Sequence, residues 1–470
     1  MNLNRRFVIK TVMYVTSIIV LAFLAYMVWF GIDGASPVDS ASNYHEAQTA
    51  HSSPLNNNMQ TNNSIYDELD LIYRDISLMP EGIRDFPIFH LYSELDPFTQ
   101  ERQFWHRGSL AVTDTNAPFL MENTPVQIRG RGNSTWAHGS EKRPLRLRFD
   151  EPLTLLDSGH DARDWVLIAN LFDMSLVRTH AAFKMASGLD TIYWTPFSRL
   201  VHLYINGKYQ GVYQLADERD IGPGRAQLTF DPNPAISEYL IEMQMMAPAP
   251  DTFRVGERGY IVQFPRTRDL NGHTEYARDF FQAAEDAVLN HDFELMSTLI
   301  DLPSMIDYYL VQEFFKNIDV GERSNFFQIR GQGESRRIYF GPIWDFDRSA
   351  GNTRYWTAPS GIHAASRNIW FREMMQIPEI QVMVAARWNE IVDTVVRDMI
   401  NYLTHLFYYY IDAFELNFER HDHIFGGNPS WFFMVPYAKQ EIHDFRGQAD
   451  YLLNWFEERI LWLGDFLNEV

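Results

Sequence analysis

Two short basic segments carry side chains that could bind a phosphorylated ligand. The first is a glycine-rich turn at 129–136 with the sequence RGRGNSTW. Glycines let backbone N–H groups approach a phosphate closely, and the arginines of this turn add positive charge. The second is the segment EKRP at 141–144, where the ammonium of Lys142 could reach a phosphate as a point charge. Taken alone, each pattern is also typical of an ordinary turn or of a solvated strand end.

Acidic and amide side chains that could bind a metal ion follow later in the chain. Asp345 and Asp347 flank Phe346 in the segment WDFD. If 343–347 is extended, both carboxylates lie on one face, and in a poorly solvated site they need a cation or a proton. Mg²⁺ prefers oxygen ligands, so the segment predicts a magnesium site, with Asn325 as a further candidate ligand and Asp319 as a candidate base. Turn capping by Asp and Asn is the alternative interpretation.

Several other kinds of site are excluded or disfavoured. The 470 residues include no cysteine, which excludes disulfides, thiolate zinc sites and a cysteine nucleophile. The segment HDH at 421–423 has no third metal ligand at a meaningful spacing, and an exposed loop is favoured there. The formal net charge of −21 argues against a general nucleic-acid-binding protein, because such a protein needs a basic face.

Local patterns in the first half predict the elements that position these side chains. The segment 145–149 alternates leucine or phenylalanine with arginine, which is typical of a half-buried strand. Asp173 can cap a helix that continues to about Ser187. Asn-Gly at 206–207 lies between two alternating apolar runs and predicts a tight hairpin, because both residues tolerate positive φ.

The second half is mostly helical in its apolar spacing. Helical segments are predicted near 276–299, 303–316, 378–417 and 437–468, with a short β-like stretch at 325–329 and 338–346. The chain is therefore predicted to be α+β, with a strand-rich N-terminal lobe at about 85–220 and a helix-rich C-terminal lobe at about 221–470.

The N-terminus carries a targeting signal. Basic residues in segment 1–10 precede an uncharged apolar run at 11–32, which as a helix would span about 33 Å and exceed a bilayer core of about 30 Å. This predicts a single-pass signal anchor with a cytoplasmic N-terminus, a polar linker at 33–64 and an extracytoplasmic domain at 65–470, periplasmic or on the cell surface. A cleavable signal peptide is the alternative.

Taken together, the motifs resemble the CotH (spore coat protein H) family of atypical protein kinases. The resemblance spans roughly residues 85–465. The stretches that carry it include RGRGNSTW (129–136), EKRPLRLRF (141–149), VHLYINGKYQGVYQLADE (201–218), VQEFFKNIDVGERSNFFQIR (311–330) and GPIWDFDRSAGN (341–352).

The resemblance implies a divergent two-lobe protein-kinase-like fold, with ATP and Mg²⁺ (or Mn²⁺) as cofactors. It also implies transfer of the ATP γ-phosphate to Ser/Thr-rich envelope or secreted proteins. Within that family pattern, Asp319 would accept the proton of the substrate hydroxyl. The phosphates of ATP would be held by Lys142, with Gly130, Gly132, Asn133 and Ser134 close to them. The metal ion would be held by Asn325 and Asp345, with Asp347 as a second carboxylate.

Departures from the pattern leave alternatives open. Asp319 and Asn325 are six positions apart rather than five, and the predicted helix offers no interior acid for Lys142, so Asp173 and Glu242 are both candidate partners. A kinase-like fold can also move a nucleotidyl or an amino-acid group. A catalytically silent envelope or glycan-binding module is another reading, and a glycoside hydrolase would need two carboxylates about 5–10 Å apart.

Overall fold

Two β-sheets carry the residues predicted to do chemistry. The computed structural model describes residues 86–469 except for 115–118, 139–141, 245–250, 267–270, 354–357, 422–441 and 443. The first sheet closes into a barrel, and the second is open and has five strands.

The barrel has seven strands in the order β1-β2-β3-β4-β5-β7-β6. Sequential neighbours pair antiparallel, and closure comes from the parallel pairing of β1 with β6, where Ile88 faces His202. Leu147 and its apolar neighbours in 145–149 are buried inside, which confirms the predicted half-buried strand. The strands are β1 (Ile88–Ser93), β2 (His106–Asp114), β3 (Phe119–Gly130), β4 (Leu145–Leu153), β5 (Ala162–Ile168), β6 (Ser198–Ile205) and β7 (Lys208–Asp217).

The hairpin predicted at Asn-Gly joins β6 to β7. Asn206 and Gly207 have φ of 48° and 77°, so both occupy the left-handed region that a tight two-residue hairpin requires. The Asn206 side chain also bonds the backbone of Ser93 at the end of β1, at 2.8 and 2.9 Å. The turn therefore also helps to hold the closing strand pair together.

The second sheet combines strands from distant parts of the chain. Its order is β12-β11-β8-β10-β9, and β11 pairs antiparallel with the central strand β8, with Asn325 opposite Met243. The strands are β8 (Tyr239–Gln244), β9 (Thr252–Val255), β10 (Arg258–Phe264), β11 (Arg323–Arg330) and β12 (Arg337–Phe340). This sheet brings the loop before Asn325 and the loop after β12 to the same region.

Helices cover this sheet and complete the second half. They confirm the predicted helical segments, except for 437–441 and 443, which lie outside the described residues. A π-helical turn, Val392–Val396, joins α8 to α9. The helices are α1 (Ser134–His138), α2 (Arg178–Ser187), α3 (His273–Leu289), α4 (Phe293–Leu299), α5 (Leu302–Phe315), α6 (Ala364–Arg367), α7 (Ile369–Met374), α8 (Pro378–Ile391), α9 (Arg397–Tyr409), α10 (Ile411–Arg420) and α11 (Phe445–Glu469).

The prediction of a two-lobe protein-kinase-like fold is wrong. The strand-rich part closes on itself as a barrel, and the helix-rich part is built around a separate sheet that also contains β8 to β10. The cause is long-range pairing: local alternation predicts strands but does not specify that β1 pairs with β6 or β8 with β11.

The membrane prediction is also corrected. Among the helices of the described ranges, none combines the length and the apolar character needed to cross a lipid bilayer. The segment expected to do so, 11–32, lies outside the described residues, as do 1–10 and 33–64. Within the described ranges, the prediction of a single-pass membrane protein therefore has no supporting helix.

Candidate functional site

A cavity lies beside the glycine-rich turn and the loop that follows β12. About 380 Å³ of space free of protein atoms, part of it open solvent, lies between its walls. Asp345, Asp347 and Arg131 of the glycine-rich turn line it, and Asn170 and Thr179 are also among the lining residues. Opposite charges thus face one partly open cavity, which is the arrangement expected of a site for a charged ligand.

The loop with Asp345 and Asp347 is fixed by neighbouring elements. Asp345 has a φ of 67°, an uncommon conformation for a residue with a side chain. The hydroxyl of Thr179 in α2 accepts a hydrogen bond from the backbone N–H of Phe346 at 3.2 Å. The hydroxyl of Ser324 donates to Asp345 Oδ2 at 3.1 Å. The segment is therefore not an extended strand, although both carboxylates still reach the same cavity.

Three carboxylates lie within one another's electric field at this site. Burial and the charge of Asp345 raise the pKa of Asp319 to about 7, although Arg323 and Arg348 oppose the shift. Burial, together with the charges of Asp345 and Asp319, raises the pKa of Asp347 well above its usual value. A bound cation or the uptake of a proton would stabilise this cluster of three carboxylates.

The carboxylates of this site suit a metal ion whose remaining ligands come from a phosphate. No group of three His, Asp or Glu side chains in the described ranges is arranged to hold a metal ion. Mg²⁺ is commonly bound through one or two carboxylates together with substrate phosphates. The pair Asp345 and Asp347 fits that mode.

Asn325 lies close by, but its amide is fully engaged. Its Oδ1 accepts from the Tyr308 hydroxyl at 3.0 Å, and its Nδ2 donates to the carbonyl oxygens of Asp319 and Arg323 at 2.9 and 2.7 Å. Asn325 therefore holds the turn that carries Asp319, and in this arrangement its oxygen faces Tyr308 rather than the carboxylates.

The glycines of the glycine-rich turn serve close packing. A Cβ on Gly130 would lie 2.3 Å from the ring of Trp136, so only glycine lets that ring lie against the end of β3. Gly132 has a φ of 78°. Asn133 and Ser134 are exposed at the surface. Of this turn, Arg131 and Thr135 line the cavity, and the four predicted phosphate-contacting residues do not.

Lys142 is buried in the wall of the site. Its Nζ donates to the carbonyl oxygens of Ala169 and Val212, at 2.6 and 2.7 Å, and lies 4.6 Å from the centre of the Tyr213 ring. Burial lowers the pKa of Lys142 to about 7, and the charge of Asp173 partly opposes this. The ammonium thus ties the end of β5 to β7, and Ala169 itself lines the cavity.

Asp173 is the acid whose charge acts on Lys142, although the two form no ion pair. Its Oδ2 accepts from the backbone N–H of Arg178 at 2.7 Å, and Oδ1 pairs with the guanidinium of the same residue. The helix predicted from Asp173 therefore begins at Arg178, with Asp173 capping it from a preceding turn. The other candidate partner, Glu242, pairs with Arg219 at 3.2 Å.

Arginines that the sequence analysis did not single out surround Glu218, next to the cavity. Arg146 and Arg219 lie 3.4 and 3.7 Å from its carboxylate. Burial alone would raise the pKa of Glu218, but the charges of Arg146, Arg131 and Arg219 outweigh it and lower the pKa to about 2. The guanidiniums of Arg131 and Arg219 lie 5.5 and 5.2 Å from the ring centre of Trp344. The one feature of the sequence that could have pointed to Arg219 is its position directly after Asp217 and Glu218, at the end of β7.

Comparison with known proteins identifies the family. The family model described as CotH kinase protein matches residues 128–463, more than half of the chain. The chain therefore belongs to the CotH family, which confirms the resemblance found in its motifs. A comparison with curated proteins gave no match.

Proposed function

We propose that this CotH family member is a kinase that transfers the γ-phosphate of ATP to the hydroxyl of Ser or Thr in a protein, with Mg²⁺ or Mn²⁺ as cofactor. The observation that carries the proposal is the meeting of Asp345, Asp347 and Arg131 at one cavity, with Asp319 within the field of both carboxylates. Paired carboxylates suit the metal, and the guanidinium suits the phosphate chain.

The metal would be held by Asp345 and Asp347. The raised pKa values of Asp319 and Asp347 mean that the folded protein carries an electrostatic cost when all three acids are ionised. A divalent cation bound there would remove this cost and would neutralise negative charge on the phosphate oxygens. Asn325 and Lys142 would then act by fixing backbone around the site.

Asp319 would act as the general base. A pKa of about 7 is close to the pH at which a base is both ionised and able to take a proton. The substrate oxygen would bond to the γ-phosphorus while the bond from that phosphorus to the bridging oxygen breaks. ADP leaves, and the hydroxyl proton passes to the Asp319 carboxylate.

The test is transfer of label by the purified chain. We expect label from ATP carrying radioactive γ-phosphate to appear on a serine-rich acceptor or on the chain itself, with Mg²⁺ or Mn²⁺. Asp345→Asn should abolish it. Glu322→Gln is the matched control, because Glu322 lies near Asp319 but pairs outward with Arg367 at 3.1 Å.

Three outcomes would redirect the proposal. Equal labelling by the wild-type chain and by Asp345→Asn would refute the metal role of that residue. A nucleotide-mass adduct on the acceptor, with no γ-label, would favour nucleotidyl transfer. If the chain shows neither transfer of label nor an ATP-dependent rise in melting temperature, the remaining interpretation is a catalytically silent binding module.

A further inference from the structure

We propose that Arg131 binds the phosphate chain of the metal–nucleotide complex, and that Lys142 positions the cavity wall instead of contacting phosphate. This inference rests on the proposed function, because it assigns the anion-binding residue of the same site. Neither the packing of the RGRGNSTW turn nor the formation of its neighbouring strands explains why an arginine side chain stands at position 131.

The guanidinium of Arg131 forms no direct ion pair within the described part of the chain, although the charges of Glu218 and Asp345 act on it. The backbone N–H of Arg131 bonds the carbonyl of Pro144 at 3.1 Å, which fixes the turn. Its guanidinium makes no hydrogen bond or ion pair there, and it lies 5.5 Å from the centre of the Trp344 ring. Arg131 is partly exposed, so its N–H donors remain available to a ligand that enters the cavity.

Two neighbouring guanidiniums differ from that of Arg131 because they form direct ion pairs. Arg146 pairs with Asp164 at 3.0 Å and with Glu218 at 3.4 Å, and Arg219 pairs with Glu242 at 3.2 Å. Burial is the main cause that lowers the pKa of Arg131; Arg219 and Arg146 add to it, and Glu218 and Asp345 oppose it. Of these three arginines, Arg131 alone lines the cavity, and it is the one that an incoming anion would neutralise.

Lys142 has less to offer a phosphate. Two of its three N–H donors are used by backbone carbonyls within 2.7 Å, and its side chain is 2% exposed. Moving its Nζ to a ligand would leave the carbonyls of Ala169 and Val212 unpaired in a buried setting, which is costly. The contacts of Lys142 therefore hold the end of β5 against β7.

The charges of the cavity specify the class of ligand. A bare polyphosphate would be repelled by Asp345 and Asp347, and a metal ion alone would offer the guanidinium of Arg131 no acceptor. A metal–polyphosphate complex satisfies both, because its cation meets the carboxylates and its outer oxygens meet the guanidinium. Metal and phosphate should therefore bind together, each strengthening the other.

The experiment measures binding of two probes by calorimetry: Mg²⁺–ATP and Mg²⁺–tripolyphosphate. We compare the full chain with Arg131→Gln and Arg129→Gln. Arg129 is a matched control, because its guanidinium also lies over a tryptophan, Trp105 at 4.7 Å, but it does not line the cavity. A third variant, Arg131→Lys, keeps the charge at the site. Melting temperatures of all four proteins verify folding.

We expect Arg131→Gln to weaken the binding of both probes at least about tenfold, since a charge-assisted contact is lost. The affinity of Arg129→Gln should stay within about twofold of wild type. The affinity of Arg131→Lys should lie between these values, because lysine keeps the charge but lacks the paired N–H donors of the guanidinium. Chelating Mg²⁺ should abolish binding of both probes.

Unchanged affinity in Arg131→Gln, or no binding of either probe by the wild-type chain, would overturn the inference. Arg131-dependent binding without any phosphoryl transfer would uphold the inference and refute the proposed kinase activity. The two proposals can therefore fail separately.

Discussion

Replacing Asp319 by asparagine should stabilise the metal-free protein at pH 8 while removing its activity. The folded protein holds the pKa of Asp319 at about 7, against an ordinary value of 3.8, with burial and Asp345 as the main causes. A carboxyl whose folded-state pKa is raised contributes stability that is complete below the unfolded pKa and is lost as pH rises through the folded pKa. Wild-type stability should therefore fall between about pH 4 and pH 7.

The magnitude follows from the shift. About three pKa units at about 1.4 kcal/mol each set an upper limit of about 4 kcal/mol at pH 8. Asparagine resembles the protonated acid and avoids this cost, but Arg323 loses a partner 3.6 Å away. We therefore expect a net gain on the order of 2 kcal/mol. Transfer activity should fall about 10²- to 10⁴-fold with the loss of the base.

Urea unfolding from pH 4 to pH 9 in the presence of a chelator measures the stability, and transfer of label from γ-labelled ATP with Mg²⁺ measures the activity. The wild-type curve should slope downward between pH 4 and pH 7, and that of Asp319→Asn should be flatter. Glu322→Gln, at a partly exposed neighbour that contributes least of the named charges, should lower the pKa of Asp319 only slightly and stay close to wild type. A variant that is less stable than wild type at pH 8, or that keeps the full slope, would refute the reasoning about the acid cluster.

Three further predictions concern the same site. Asp345→Asn should lower phosphoryl transfer at least about 100-fold and remove stabilisation by Mn²⁺ in a melting assay, and retained Mn²⁺ stabilisation would contradict its metal role. Arg348→Gln should raise the pKa of Asp319 further, since that guanidinium lowers it. The acidic limb of the pH–rate profile should therefore move to higher pH, and an unmoved limb would count against this. Gly130→Ala should cost about 1–3 kcal/mol in urea unfolding, because the added methyl would overlap the Trp136 ring; a cost near zero would show that the ring can shift freely.

Elements with strong local signals could be predicted from the sequence. The hairpin at Asn206 follows from a two-residue turn whose backbone twist matches its strands, and the strand 145–149 follows from alternation alone. Barrel closure could not be predicted in this way. It depends on Ile88 lying parallel to His202, a pairing between segments far apart in the sequence that no local pattern encodes.

The candidate site could be predicted in composition but less well in geometry. Asp345 and Asp347 do share a cavity, yet Asp345 has a φ of 67°, so the extended segment behind that prediction is absent. The environment of Lys142 depends on the carbonyl of Val212 in β7, which the pairing of β7 with β5, far apart in the sequence, brings near. Arg131 was part of the recognised turn, but that its guanidinium lines the cavity without a direct ion pair to any described residue is visible only in three dimensions.

The position of the site explains why its parts are so scattered. Arg131 and Asn170 follow barrel strands, Thr179 belongs to α2, and Asp345 follows the edge strand of the second sheet. Each sheet thus supplies only one sign of the charge pair: the barrel side brings the guanidinium, and the second sheet brings the carboxylates. A mutation that separates the sheets without unfolding either should therefore abolish coupled binding of metal and phosphate, because neither half alone complements a metal–phosphate complex.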